Sequence, residues 1–318
     1  MPTGARLKGD TLKLEVYSYD TVDLELSVED VQGVSFLLET PRYIHEAGKY
    51  HGANKRVYAY GNLDNLRVRI TSDYISIQGS ISKWYLGNNI QPLSLNGTKQ
   101  AFERLSSILH LPMEKAHVKR LDLAACLVMK YLPSIYYNHL GRAGNTFPQY
   151  MDNGIYYNLP NEEQLLFYDK TIESKGHVPD EYKGQHLLRY ERRFFKPNIL
   201  VEQLLDEDYY TLLIREWIKG YDLITKINEI TLNLDVIKGT KDFARMGILT
   251  LAALFGGILK LEQEIENGRI MGKLTSKQKS DLFKFIEQAN DVECGLTKVS
   301  SLITELNETM KYIKELLC

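Results

Sequence analysis

The chain has 318 residues, of which 44% are apolar, enough for a sizeable core and too many for a disordered or fibrous chain. Thirty-nine Lys and Arg against 41 Asp and Glu leave a net charge of −2, so composition alone does not announce a nucleic-acid binder. Three cysteines, Cys126, Cys294 and Cys318, are odd in number and far apart, which argues for a reducing compartment rather than a disulfide framework.

The N-terminal MPTGARLKGD lacks the apolar stretch of a signal peptide. From Thr11 to about Pro197 the pattern is mainly that of strands. Leu12, Leu14 and Val16 alternate with polar residues, as do Leu66, Val68 and Ile70; Tyr74–Ile77 is a short β-rich run, and Thr71-Ser72-Asp73 before it reads as a turn. Phe102, Leu105, Ile108 and Leu109 fall at helical spacing and predict a helix over 96–110, with Asn96 or Thr98 as its cap. A strand over 118–129, a short helix over 133–140, and strands over 155–158, 164–171 and 186–195 follow, with a Gly/Asn/Pro-rich loop over 141–154.

Beyond Pro197 the alternation stops and proline disappears. Helical stretches are predicted over 199–219, 222–234, 240–266, 276–294 and 297–317, punctuated by Gly220, Gly239, Gly268 and Gly295. This change places a domain boundary near residue 198: residues 1–198 form one domain and 199–318 a helical second one. The longest apolar run, Met246 to Leu261, is interrupted by Gly256, Gly257 and Lys260 and falls short of the ~20 residues a bilayer span needs. An apolar helix there packs either in a local bundle or against a second copy in a homodimer. The expectation is a soluble, cytoplasmic protein with no membrane partner.

The near-zero net charge hides an asymmetry. Residues 1–39 carry 3 basic and 8 acidic groups, residues 40–199 carry 21 and 14, and residues 200–318 carry 15 and 19. A basic middle between acidic ends suits a polyanion-binding surface confined to one domain.

Within that middle, the strand Val118–Leu127 puts Leu121, Leu123, Ala125 and Leu127 on one face and Arg120, Asp122, Ala124 and Cys126 on the other. Charged groups inside an apolar strand are costly unless that face is open or the charges are used, either as an internal ion pair or in chemistry. The strand Leu187–Phe194 places Arg189, Glu191 and Arg193 on one face in the same manner. Were the two strands neighbours, Asp122 and Glu191 would converge, and paired carboxylates are tolerated around a divalent cation of the Mg²⁺ or Mn²⁺ type. In Gly154-Ile155-Tyr156-Tyr157-Asn158 the adjacent tyrosines point to opposite sides: Tyr157 shares a face with Ile155 and packs inward, and Tyr156, between Gly154 and Asn158, has room for a ligand. His45, His51, His110 and His117 show no metal-ligand spacing, Cys126 reads as a small buried hydrophobe, and neither a phosphate-binding loop nor a nucleophile elbow is present.

Four ordered segments carry a resemblance: Gly79–Trp84 with Gly87-Asn88-Asn89, Arg120-Leu121-Asp122, Gly154–Tyr157 followed by Leu166–Lys170, and Leu188–Phe194. Together they resemble the replication initiators of filamentous phages (the gene II/X replication proteins) and, more distantly, those of rolling-circle plasmids. The likeness covers about residues 60–197. It implies an α+β fold, an antiparallel-sheet nicking domain followed by an all-α C-terminal domain. It implies a rolling-circle initiator: a metal-dependent, origin-specific single-strand endonuclease and strand transferase, in which a tyrosine takes up the 5′ phosphate so that the nick is resealed without ATP. The implied roles are Tyr156 as nucleophile, Asp122 and Glu191 as ligands of Mg²⁺ or Mn²⁺, Arg120, Lys170 or Arg189 against the scissile phosphate, and Lys83, Trp84, Asn88, Arg189 and Arg193 on DNA. The implied partners are origin DNA, single-stranded or supercoiled, and a host helicase in a bacterial cytoplasm. Two departures stand out: Arg120-Leu121-Asp122 replaces the His-x-His pair of many related nickases, and Asn158-Leu159-Pro160 replaces a Gly-Ser-Arg stretch. A non-catalytic, sequence-specific DNA-binding protein on the same scaffold is the alternative.

Overall fold

The structure, a computed structural model, describes residues 17–31, 40–51, 57–231 and 233–315. The strand expected at Leu12–Val16 lies outside them. Its centre is a ten-stranded sheet in which every neighbouring pair runs antiparallel. In chain order the strands are β1 (Tyr17–Ser27), β2 (His45–His51), β3 (Val57–Leu63), β4 (Leu66–Ile70), β5 (Tyr74–Ser80) and β6 (His117–Met129). A short β7 (Leu140–Ala143) outside the sheet precedes β8 (Gln149–Met151), β9 (Gly154–Leu159), β10 (Glu163–Asp169) and β11 (His186–Leu200). Their spatial order is β2-β3-β4-β5-β1-β6-β11-β10-β9-β8, so β6 and β11, the two charged strands, lie side by side at the middle. The fold is α+β, as the resemblance implies.

Local chemistry accounts for the elements. In β4, Leu66, Val68 and Ile70 are buried and Arg67 and Arg69 exposed, the signature of a sheet with one face in the core. The Thr71 hydroxyl closes the β4–β5 turn by accepting from the backbone of Asp73 and Tyr74 at 3.2 and 3.0 Å. Helix α1 (Ile81–Leu86) follows β5 directly, and helix α2 (Leu95–Leu109) is capped by Ser94, whose hydroxyl accepts from Gly97 N at 2.9 Å, rather than by Asn96 or Thr98. Two shorter helices, α3 (Pro133–Tyr137) and α4 (Lys170–Glu173), sit beside the far end of the sheet; Asp169 caps the latter.

The structure moves the domain boundary. Residue 198 lies inside β11, and helices α5 (Val201–Leu204) and α6 (Glu207–Asp222) bury Val201, Leu204, Ile214 and Trp217 in the same apolar core as the sheet. The Tyr190 ring of β11 stacks on Phe167 and lies 4.5 Å from Trp217, to whose carbonyl its hydroxyl donates. Gly220 is needed at this junction, since a Cβ there would stand 2.7 Å from the Tyr190 hydroxyl. The stretch expected as a helix over 222–234 holds two small strands instead, β12 (Ile224–Lys226), paired with β7, and β13 (Glu229–Ile230).

Helices α7 (Thr240–Leu254), α8 (Ile258–Ile270) and α9 (Ser276–Asn290) gather a second apolar cluster around Leu249, Ile258, Leu261 and Ile286. The chain then adds β14 (Thr297–Lys298), paired with β13, and α10 (Ser301–Glu315), which returns Leu306, Met310 and Ile313 to the first core. The run expected as one helix over 240–266 breaks at Gly256-Gly257, where α7 and α8 bend by 92°. Among the described residues no single helix is long and apolar enough to cross a membrane.

Candidate active site

Register decides which side chains meet. Across β6 and β11, Arg120 faces Phe195, Asp122 faces Arg193, Ala124 faces Glu191 and Cys126 faces Arg189. Outward from β11, Tyr168 faces Arg189 and Leu166 faces Glu191; one strand further, Gly154 faces Tyr168 and Tyr156 faces Leu166. Residues directly opposite share a face of the sheet. Arg120, Asp122, Arg189, Glu191, Arg193, Tyr168 and Tyr156 therefore stand together on the side away from the core helices.

Arg189 is the hub. It is 2% exposed, and its guanidinium reaches Asp20 at 2.5 Å, Glu191 at 3.0 Å, Cys126 Sγ at 3.2 Å and the Asn89 carbonyl. Asp20, buried on β1, also accepts from the Ser80 hydroxyl and, at 3.1 Å, from the Asn89 amide. Glu191 accepts from the Tyr168 hydroxyl at 2.5 Å and from Arg193 Nη2 at 3.1 Å. Asp122 takes a two-point contact from Arg120 at 2.8 and 2.6 Å, and Arg193 Nε lies 3.2 Å from it. All four segments that carry the resemblance thus meet in one buried network. Burial pushes Glu191 up, but Arg189, Arg193 and the Tyr168 hydroxyl outweigh it and hold the carboxyl below the usual range. Burial, with the Glu191 charge beside it, pushes Asp122 upward against the pull of Arg120.

A cleft of about 540 Å³ opens onto this network. Asp20, Tyr168, Glu191 and Arg193 form its floor, and Lys83, Asn89, Lys175 and His177 are among the residues around it. Gly154 allows the floor to close, because a Cβ there would come within 2.6 Å of Tyr168 Cβ and 2.2 Å of the Phe167 carbonyl.

Asp122 and Glu191 do come together, but the Arg193 guanidinium stands between them where a cation was expected. Every carboxylate oxygen of Asp20, Asp122 and Glu191 already accepts from a guanidinium, hydroxyl or amide. No group of three or more His, Cys, Asp or Glu among the described residues has the arrangement of a metal site. This donor set fits a guanidinium-bridged network and does not fit Mg²⁺ or Mn²⁺.

The other expected residues divide. Tyr157 is fully buried, as its face predicts, and donates to the Gly141 carbonyl at 2.9 Å. Tyr156 is half-buried on the charged face, its hydroxyl free of hydrogen bonds to described residues, but it stands one strand beyond the cleft rather than in it. Lys170 is buried at the start of α4 with Nζ 2.5 Å from Glu173. Lys83 is exposed at the cleft rim. Trp84 is buried beneath Arg104, so its ring is not offered to a base. Asn88 spends its side chain on Ile90 N, Gln91 N and the Gln91 side chain, and the buried Arg189 is saturated by protein partners. Cys126 is half-buried and serves as a partner of Arg189 rather than as a plain hydrophobe. Asp20, Ser80, Asn89 and Tyr168 were not singled out as site residues from sequence. An acid inside the otherwise β-rich run Tyr17–Leu26 was the one available signal for Asp20.

Residues 48–205 match the family model described as replication-associated protein G2P, N-terminal. None of the curated proteins matches the chain.

Proposed function

We propose that this chain, which over residues 48–205 belongs to the phage replication-associated protein G2P family, starts phage DNA replication by nicking and rejoining one DNA strand. The family supports the role in replication; the cleft supports the chemistry. The observation that carries it is the Tyr168 hydroxyl, 2.5 Å from Glu191 on the floor of a cleft that also presents Arg193, Lys83 and Lys175.

In this reading a single strand lies across the charged face with one phosphodiester over Tyr168. The phenolic oxygen attacks phosphorus, the phosphorus–O3′ bond breaks, and the 5′ phosphate stays on the tyrosine as one phosphodiester exchanged for another. Free tyrosine has a pKa near 10, and burial raises Tyr168 well above it, so the proton must leave in concert with attack. Glu191 accepts that proton from the Tyr168 hydroxyl and passes it to the departing O3′, which leaves as a hydroxyl while the carboxylate is regenerated. Arg193, at the rim of the buried network and a quarter exposed, faces the charge that develops on phosphate. Arg189 positions Glu191 and is a positioning residue. Arg120 holds Asp122 in the same way.

Tyr156 is the second reading, favoured by a hydroxyl on the same face that makes no hydrogen bond to a described residue. A non-catalytic DNA-binding protein would use the same surface without forming an adduct. Relaxation of supercoiled origin plasmid, followed by peptide mapping of the trapped protein–DNA adduct, separates the three. An adduct on Tyr168 supports the leading reading, one on Tyr156 the second, and binding with neither relaxation nor adduct leaves the non-catalytic protein.

A further inference from the structure

A second cleft, of about 570 Å³, lies on the same sheet face beside the first. Asp23, Gln78, Lys119, Arg120, Phe195 and Lys196 line it. Arg120 belongs to both regions: it pairs with Asp122 on one side, and its guanidinium carbon lies 5.6 Å over the Phe195 ring on the other.

The backbone is distorted to build this cleft. The β1–β6 ladder slips between Asp23 and Leu24, leaving Lys119 as an extra residue, and the β6–β11 ladder slips between Phe195 and Ile199 at the same level. Lys196 and Asn198, on either side of Pro197, both adopt left-handed φ, at 49° and 54°. Bulges of this kind re-aim side chains near functional sites, and left-handed non-glycine residues cost energy that the surrounding structure must supply. Here they turn a regular ladder into a pocket whose side chains are an aromatic ring, a guanidinium, a carboxylate and two lysines.

Hydrogen-bonding capacity remains at this cleft. Neither the half-buried Asp23 carboxylate nor the Gln78 amide makes a side-chain hydrogen bond with a described residue. Among the described residues Lys119 and Lys196 form their salt bridges with solvent-accessible acids, Glu25 at 3.0 Å and Glu162 at 2.9 Å, pairs that a phosphate can replace at little cost. An aromatic–guanidinium platform beside a carboxylate that makes no side-chain hydrogen bond to a described residue, ringed by lysines, is the chemistry of an unstacked nucleobase with its flanking phosphates.

We propose that this second cleft holds one unpaired guanine of single-stranded DNA. Its ring lies against the Phe195–Arg120 pair, and its N1–H and 2-amino group donate to Asp23. Guanine is the base that presents two adjacent donors to a carboxylate on one edge; adenine and cytosine offer only an amino group beside an acceptor. In a duplex that edge is already paired, so the cleft selects single strands. This rests on the single-strand reading above and adds to it a base preference displaced from the reacting phosphate.

The test uses the full chain and fluorescence anisotropy of dT oligonucleotides carrying one central dG, dI, dA or dC. The dG oligonucleotide is expected to bind at least about fivefold tighter than dA or dC, with dI, which lacks the 2-amino group, in between. Asp23→Asn, nearly isosteric, should erase the preference while leaving dT binding within about twofold. Phe195→Ala should weaken every oligonucleotide about tenfold, and Phe195→Tyr should restore binding. Equal affinities for the parent chain, or a dG preference that survives Asp23→Asn, overturn the guanine subsite while single-strand binding stands. A parent chain that binds none of the oligonucleotides at low salt overturns the single-strand reading and the subsite with it.

Discussion

Arg193 and Asp122 face each other across the β6–β11 ladder, and the same guanidinium that lies 3.2 Å from Asp122 reaches Glu191 at 3.1 Å. One cation side chain thereby separates two buried carboxylates on neighbouring strands. Arg120 completes the neutralisation of Asp122, and Arg189 that of Glu191. The charged face holds together because each buried acid has a guanidinium, an arrangement in which breaking a pair costs far more than the pair contributes.

Arg193→Ala is therefore expected to destabilise the fold by about 2 kcal/mol, less than a fully buried pair because the side chain is a quarter exposed. The denaturant midpoint measures it. A change within error would mean that Asp122 and Glu191 do not depend on Arg193.

The same variant tests the cation question. With Arg193 gone, Asp122 keeps Arg120 and Glu191 keeps Arg189, but nothing stands between the two carboxylates, and a divalent ion can take that place. Millimolar Mg²⁺ or Mn²⁺ should raise the melting temperature of Arg193→Ala and leave that of the parent chain unmoved. A metal-dependent rise in the parent would mean that the cation displaces Arg193 and that the resemblance's metal site forms after all.

Acid should undo this network in a defined direction. Glu191 is held below its unfolded value of about 4.3 by Arg189 and Arg193 despite its burial, so the native chain binds that proton more weakly than the unfolded chain. Its contribution is fully present above about pH 4.3 and is lost as the pH falls through the lower folded value. Glu191→Gln should flatten the decline of stability below about pH 4. An unchanged acid limb would contradict the depressed carboxyl.

Much of this was legible in the sequence, and the exceptions have physical causes. The alternation of Arg120 and Asp122 with Leu121 and Leu123, and the inward turn of Tyr157 beside Ile155, follow from the two-residue period of a strand and hold in the structure. Asp20 escaped because its partner Arg189 is 169 residues away and no local pattern links them. The resemblance implies Trp84 on DNA, yet helix α1 turns the ring inward, which no local pattern announces. The boundary at 198 followed a real change from alternation to helical spacing, but periodicity does not tell which core a helix joins.

Cutting the chain at residue 198 divides one apolar core. A fragment of residues 1–198 loses Trp217, which is fully buried against Tyr190, and with it Val201, Leu204, Leu306 and Met310. Loss of one buried Trp costs about 3–5 kcal/mol, comparable to the whole stability of a marginal domain. The fragment should lack near-UV circular dichroism and cooperative melting. A cooperatively folded 1–198 would restore the boundary expected from sequence.

The tyrosines give the sharpest prediction. Tyr168 donates to Glu191 on the cleft floor, Tyr156 stands one strand outward with no hydrogen bond from its hydroxyl to a described residue, and Tyr157 is spent on the Gly141 carbonyl in the core. Tyr168→Phe removes the attacking oxygen in the leading reading and leaves the ring packing intact. It should abolish plasmid relaxation and the covalent adduct while keeping DNA affinity within about twofold, since phosphate contacts are untouched. Tyr156→Phe should keep activity within about tenfold, because its backbone lies two strand spacings, about 10 Å, from that of Glu191. Tyr157→Phe should cost about 1 kcal/mol of stability through one buried hydrogen bond and little activity. Tyr168→Phe also removes a hydrogen bond from Glu191, so loss of activity alone does not identify the nucleophile. Peptide mapping of the adduct does: phosphate on Tyr156, with Tyr168→Phe still forming adduct, would return the nucleophile to the residue that the resemblance implies.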